Sequence, residues 1–213
     1  MKKERIFKYV VIILSIILVL FVGNIIRKTY IISKWNEKSQ EYSKITNFYK
    51  KYKEDNESTV EIWKKDNISL YKRTSKDGVR IIYNNIDEKI GWLINDTKTG
   101  DEINKVAIRI NENELDNLYT ANLLDNEIDI NNLGQAIKAA FMCSITSENY
   151  FGAKCYKINF QNELTQYINK ENYLCIGTVT DHTDTGLIEY KINEVKDEEV
   201  KLPDLSNFEI KED

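Results

Sequence analysis

Histidine and proline each occur once in this sequence of 213 residues; cysteine occurs three times and glycine eight. Each scarcity removes a class of chemistry. The lone His182 has no second nitrogen or thiolate at a spacing that would hold zinc. The surrounding DHTDTGLIE is a poor copy of a calcium loop, which needs oxygen ligands at alternate positions and a distal glutamate. It reads instead as a polar turn whose aspartates bond nearby backbone N–H groups. There is no glycine-rich phosphate loop, no HExxH, no CxxC and no GxSxG elbow. A Ser–His–acid site would put its base on a hairpin tip, open to water. A Cys–His site would need Cys175 and His182 to cooperate from on or near one strand. The chain is therefore read as a non-enzyme, with no catalytic residue, no metal and no cofactor.

Basic stripes are also missing. Residues 1–28 hold six basic residues against one acid, a net +5, and the remainder carries a net −9. Phosphate contacts supply most nucleic-acid affinity, so an acidic domain excludes that partner class. With 30% charged and 42% apolar residues, most of the chain is expected to fold. Its length suits one domain plus an anchor.

What is present begins with an uncharged run, residues 9–26, rich in Ile, Val and Leu. As a helix it rises about 27 Å, close to the hydrocarbon thickness of a bilayer. Lys2, Lys3, Arg5 and Lys8 precede it on a short tail, which favours a cytoplasmic N-terminus and a translocated domain. The rival is a cleaved signal peptide, for which FVGNIIRK offers a weak cleavage site. No cysteine follows the run, so lipid modification there is excluded. The expectation is a single-pass protein of the cell membrane, held through residues 9–26, its domain a monomer on the outer face. Three cysteines make no framework of bridges; Cys155 with Cys175 is one possible pair, and free, buried thiols are the alternative.

Residues 29–55 are expected to lead into the domain as an amphipathic helix. Over 35–53, Trp35, Tyr42, Ile45, Phe48, Tyr49 and Tyr52 fall near one helical face. Residues 58–110 read as an antiparallel meander of five alternating runs, with turns at Asp66-Asn67, Asp77-Gly78, Asn84-Asn85 and residues 95–100. Residues 113–126 are expected to hold a short helix. Residues 131–142 are expected to hold a clearer one, capped by Asn131. Sheet character returns at 149–160, 173–181 and 186–195.

Three segments carry a family resemblance: GAKCYKI (152–158), DTGLIEYKI (184–192) and VKLPDLSNFEI (200–210). They resemble exported, LolA-like proteins of low-GC Gram-positive bacteria, in the lipoprotein-carrier superfamily. The likeness spans 56–213 and is strongest after 149. It implies an α+β fold in which a curved antiparallel sheet, a half-barrel, has helices packed on its concave face. An apolar groove for acyl chains would lie between the two layers. No functional arginine is carried over.

Two functions follow as expectations. In the first, the domain binds a lipid, acyl chain or lipoprotein in a groove lined by Trp63, Leu70, Trp92, Ile94, Leu133, Ile137 and Phe141. A groove of more than about 300 Å³ would support it. In the second, the domain holds no ligand and acts as an interaction or sensing module beside a membrane protein.

Overall fold

The computed structural model describes residues 2–55, 57–99, 102–111, 114, 123, 130, 132–160, 164–181 and 183–212. Helix α1 (Lys2–Tyr42) runs unbroken for 41 residues and rises about 60 Å. It is long and apolar enough to cross a membrane. Its large apolar side chains from Ile6 to Ile26 are exposed, apart from the half-buried Ile25. From Thr29 onward a 3.6-residue pattern takes over, and Ile31, Ile32 and Trp35 turn into the core.

The expected helix over 35–53 stops early. Residues 47–53 are strand β1 (Asn47–Lys53). In NFYKKYK the aromatics fall on both strand faces, Phe48 and Tyr52 on one and Tyr49 on the other. A strand buried on both faces mimics a helical stripe over so short a length. The meander follows, as β2 (Thr59–Lys65), β3 (Ile68–Ser75), β4 (Gly78–Asn85), β5 (Ile90–Thr99) and β6 (Glu102–Ile110), but two of its turns move: Asn84-Asn85 are paired inside β4, with the turn at residues 86–89, and residues 95–99 belong to β5. Asp66 takes a positive φ in the β2–β3 turn and Gly78 does so at the start of β4. Gly78 has no substitute, because a Cβ there would lie 2.2 Å from the Asp96 carbonyl oxygen.

Helix α2 (Leu133–Met142) matches the second expected helix, but its cap is Asn132, whose side chain accepts from the Gln135 N–H. Asn131 lies outside the described residues, as does the expected helix at 113–126, apart from Glu114 and Leu123. Four strands follow: β7 (Cys143–Tyr150), β8 (Ala153–Phe160), β9 (Thr165–Asn169) and β10 (Cys175–Val179). After β11 (Glu189–Ile192) come a 3-10 turn (Asp197–Val200) and β12 (Glu209–Glu212).

The fold is α+β, and its strands form two sheets. The larger runs β11-β1-β2-β3-β4-β5-β6-β12 and is antiparallel except at its last pair, where β12 joins β6 in parallel. The smaller runs β10-β9-β8-β7 and is antiparallel. Helices α1 and α2 pack on the smaller sheet: Ile31, Ile32, Trp35, Ala136 and Ala140 meet Ile145, Ile158, Ile168 and Cys175. The other face of the smaller sheet, with Cys155 and Tyr167, packs on Phe48, Val60 and Ile62 of the larger one. The order is thus helices, small sheet, large sheet.

All three cysteines are free and buried. Strand β9 separates Cys155 from Cys175, a lateral gap of about 9.5 Å, beyond the ~7 Å that a disulfide spans. They also belong to clusters on opposite faces of the small sheet.

Candidate functional site

The expected groove residues separate into two groups. Trp63, Leu70 and Trp92 share one cross-strand row of the large sheet with Tyr49 and Tyr83. Ile94, between Ile81 and Ala107, lies on the same face. That face is turned away from the small sheet, because Ile62 points toward it and Trp63, its neighbour, points away. Leu133, Ile137 and Phe141 are all exposed on α2, beyond the small sheet. Two sheets therefore stand between the groups.

The row at Trp63 is covered by the chain itself. From β11 at one edge to β12 at the other, residues 193–208 cross the large sheet. Val195 and Val200 pack on Tyr49 and Trp63. Lys65 pairs with Asp197, and Lys105 Nζ lies 5.7 Å from the centre of the Phe208 ring. The Tyr49 ring packs tilted against Trp63, its centre 5.1 Å away, and its hydroxyl donates a 2.9 Å hydrogen bond to Glu61. Burial, then that bond, pushes its phenol above the ordinary range.

A hollow of about 170 Å³ lies between α1, the β11-β1 edge of the large sheet and the β10-β9 edge of the small one. Trp35 and Ser39 of α1 form one wall, Lys50 and Tyr52 of β1 another, and Gln166, Cys175 and Thr178 a third. Ser39, Lys50 and Gln166 are each no more than 4% exposed, so polar atoms are sequestered here. Tyr190 donates to the Cys175 carbonyl at 2.7 Å, and the Thr178 N–H donates to Thr185 Oγ1 at 2.8 Å. Burial raises the Cys175 thiol above its usual range, which keeps it in the protonated, poorly nucleophilic form. The hollow is smaller than the roughly 300–1,000 Å³ of drug-sized ligand pockets. A second, polar notch of about 240 Å³ lies between Arg73, Asp77 and Arg80. Arg73 is already paired with Glu54 and, at 3.6 Å, with Asp55.

Among the described residues no three His, Cys, Asp or Glu side chains gather as metal ligands. His182 lies outside the described residues. Sequence reasoning missed Ser39, Lys50 and Gln166. The alternation Phe48-Lys50-Tyr52 was the available signal for Lys50, hidden by assigning that segment to a helix. Gln166 lies in β9, a five-residue strand with no flanking glycine or proline to mark it.

A scan against protein-family models matches none, and a search of curated proteins returns no similar sequence.

Proposed function

We propose that this chain is a single-pass, N-terminus-inside membrane protein whose outer-face domain serves interaction or sensing. The observation that carries this reading is the continuity of α1. The helix that is long and apolar enough to cross a bilayer is also the helix whose Ile31, Ile32 and Trp35 fill the core. No break separates the two parts. Trp35 and Ser39 of that helix also wall the buried hollow. A load applied to the domain therefore reaches the apolar segment through hydrogen-bonded helix, not through a flexible linker. A shuttling carrier would need reach, whereas this connection holds the domain at a fixed height. The separation of the expected groove residues onto opposite sides of the two sheets weighs toward interaction over the lipid-carrier reading.

The test is cross-linking of the full-length chain in its native membrane, paired with native mass spectrometry of the detergent-solubilised protein. A defined protein adduct on a lipid-free chain is expected. One acyl lipid held per chain, and lost in a folded Trp92→Glu variant, would replace this reading with the carrier one.

A further inference from the structure

We propose that the C-terminal half of α2 is a second membrane contact, with Ile137, Phe141 and Met142 entering the outer leaflet beside α1. This rests on α1 crossing the membrane, as proposed above.

The apolar arc of α2 is wider than the surface that covers it. Ala136 and Ala140 are buried against α1 and the small sheet. Leu133, Ile137 and Phe141, at i, i+4 and i+8, form an adjoining stripe that faces outward, with Phe141 56% exposed. Met142 is exposed as well. A stripe of large apolar side chains with no cover needs an occupant.

Position identifies the occupant as lipid. The Phe141 ring lies 6.1 Å from that of Phe21. Phe21 falls five residues before the end of the uncharged run 9–26, about 7.5 Å inside it along the helix. A side chain against Phe21 therefore shares the depth of the apolar segment.

The polar groups around this point are arranged as such a depth requires. A helix end leaves carbonyls without partners, and hydrocarbon offers them none. Here the cations of α1 supply donors. Lys28 Nζ donates to the Ala140 carbonyl at 3.3 Å and to that of Cys143 at 2.6 Å, and Arg27 donates to the Ile145 carbonyl at 2.8 Å. Their apolar stems lie along the boundary while their charged heads reach backbone oxygen.

The contact has a direction. Asn36 Nδ2 donates to the Ile130 carbonyl at 2.9 Å, just before α2 begins, while Lys28 holds its end. Helix α2 thus runs back along α1 toward the apolar segment. Phe141 and Met142 lie deepest, Ile137 is shallower, and Leu133 is at headgroup level. An amphipathic helix at a bilayer surface buries its apolar face by about 5–10 Å.

The test uses the full-length chain in lipid nanodiscs with one nitroxide at a time, at Ile16→Cys, Phe141→Cys, Ile137→Cys or Gln135→Cys. The three native cysteines are buried, and the unsubstituted chain serves as the labelling blank. Circular dichroism confirms that each variant folds. Collision with oxygen relative to an aqueous nickel chelate should rank Ile16 highest, then Phe141, then Ile137, with Gln135 at the aqueous value. If Phe141 and Ile137 match Gln135 while Ile16 stays deep, the contact is refuted and the anchor stands. If Ile16 is also aqueous, the anchor reading fails and takes the contact with it. Labels at 141 and 137 that are immobile and reached by neither reagent would mean a protein cover, and would equally overturn the proposal.

Discussion

The two sheets bury their strands in different ways. The four-stranded sheet is covered on both faces over β9 and β10, by α1 and α2 on one side and by the large sheet on the other, while its edge strand β7 leaves Ser144, Thr146 and Glu148 exposed. The large sheet is covered on both faces over β1 and β2, where the small sheet lies on one side and Val195 and Val200 on the other. Toward β5 its side chains Trp92 and Leu93 are only half-buried. The stability of the domain should therefore be concentrated where α1 meets the small sheet and fall off along the meander. The same tryptophan substitution made at each end puts that gradient to its severest test. Trp35→Ala, at a site 2% exposed, is expected to cost about 3–5 kcal/mol. Trp92→Ala should cost about 1 kcal/mol. Denaturant unfolding of the full-length protein in micelles would measure both, and equal losses would erase the proposed difference between the sheets.

A smaller effect sharpens the comparison inside the small sheet. A Cβ on Gly177 would lie 2.4 Å from Tyr150 Cε1. Tyr150 has little freedom to yield, because its ring stacks on Tyr167 at 3.8 Å and its hydroxyl donates to the Gly186 carbonyl at 3.1 Å. Gly177→Ala is expected to cost roughly 1–3 kcal/mol, the usual penalty of overpacking. Gly177→Ala in a Tyr150→Leu background should cost less, since the clashing ring is gone; undiminished loss would place the strain in the backbone instead. The register shift in β10 between Cys175 and Gly177 is the local feature to inspect in that event.

The same contrast explains what the sequence made legible. Strands β2 to β6 are readable because Val79-Ile81-Tyr83 and Ile90-Trp92-Ile94 alternate with other residues and because Asp66-Asn67 and Asp77-Gly78 mark two of the turns. Strands β9 and β10 of the small sheet have two dry faces, so they lose that alternation. In β9 three adjacent residues, Gln166, Tyr167 and Ile168, are all buried. Strand β1, buried on both faces, reads as a helical stripe for the same reason. Pattern also identified the apolar run and α2, but not which strands share a sheet; pairing β1 with β11 joins residues about 140 positions apart. Hence Trp63, Leu70, Trp92 and Ile94 were assigned to the same groove as Leu133, Ile137 and Phe141. All seven are apolar, but which layer each faces is set by long-range topology.

The mildest expected effect separates the buried tyrosines by pH. Burial pushes the Tyr150 phenol up to about 12, with the nearby Asp184 charge adding to it. An unfolded tyrosine titrates near 10. Between these values the folded chain keeps the proton that the unfolded chain has released. Stability must then fall as pH rises through that window, and the contribution is complete below pH 10. Tyr150→Phe keeps the stacked ring and removes the ionisable group, so its unfolding midpoint should fall less steeply between pH 10 and 12. Tyr49, raised chiefly by burial between the large sheet and residues 193–208, retains its own share of the slope in that variant. A Tyr49→Phe, Tyr150→Phe pair should therefore flatten the alkaline limb further than either change alone. If the single Tyr150 change leaves the slope untouched, water reaches that phenol, and the small sheet is less completely covered on its inner face than its packing against Phe48 and Ile62 implies.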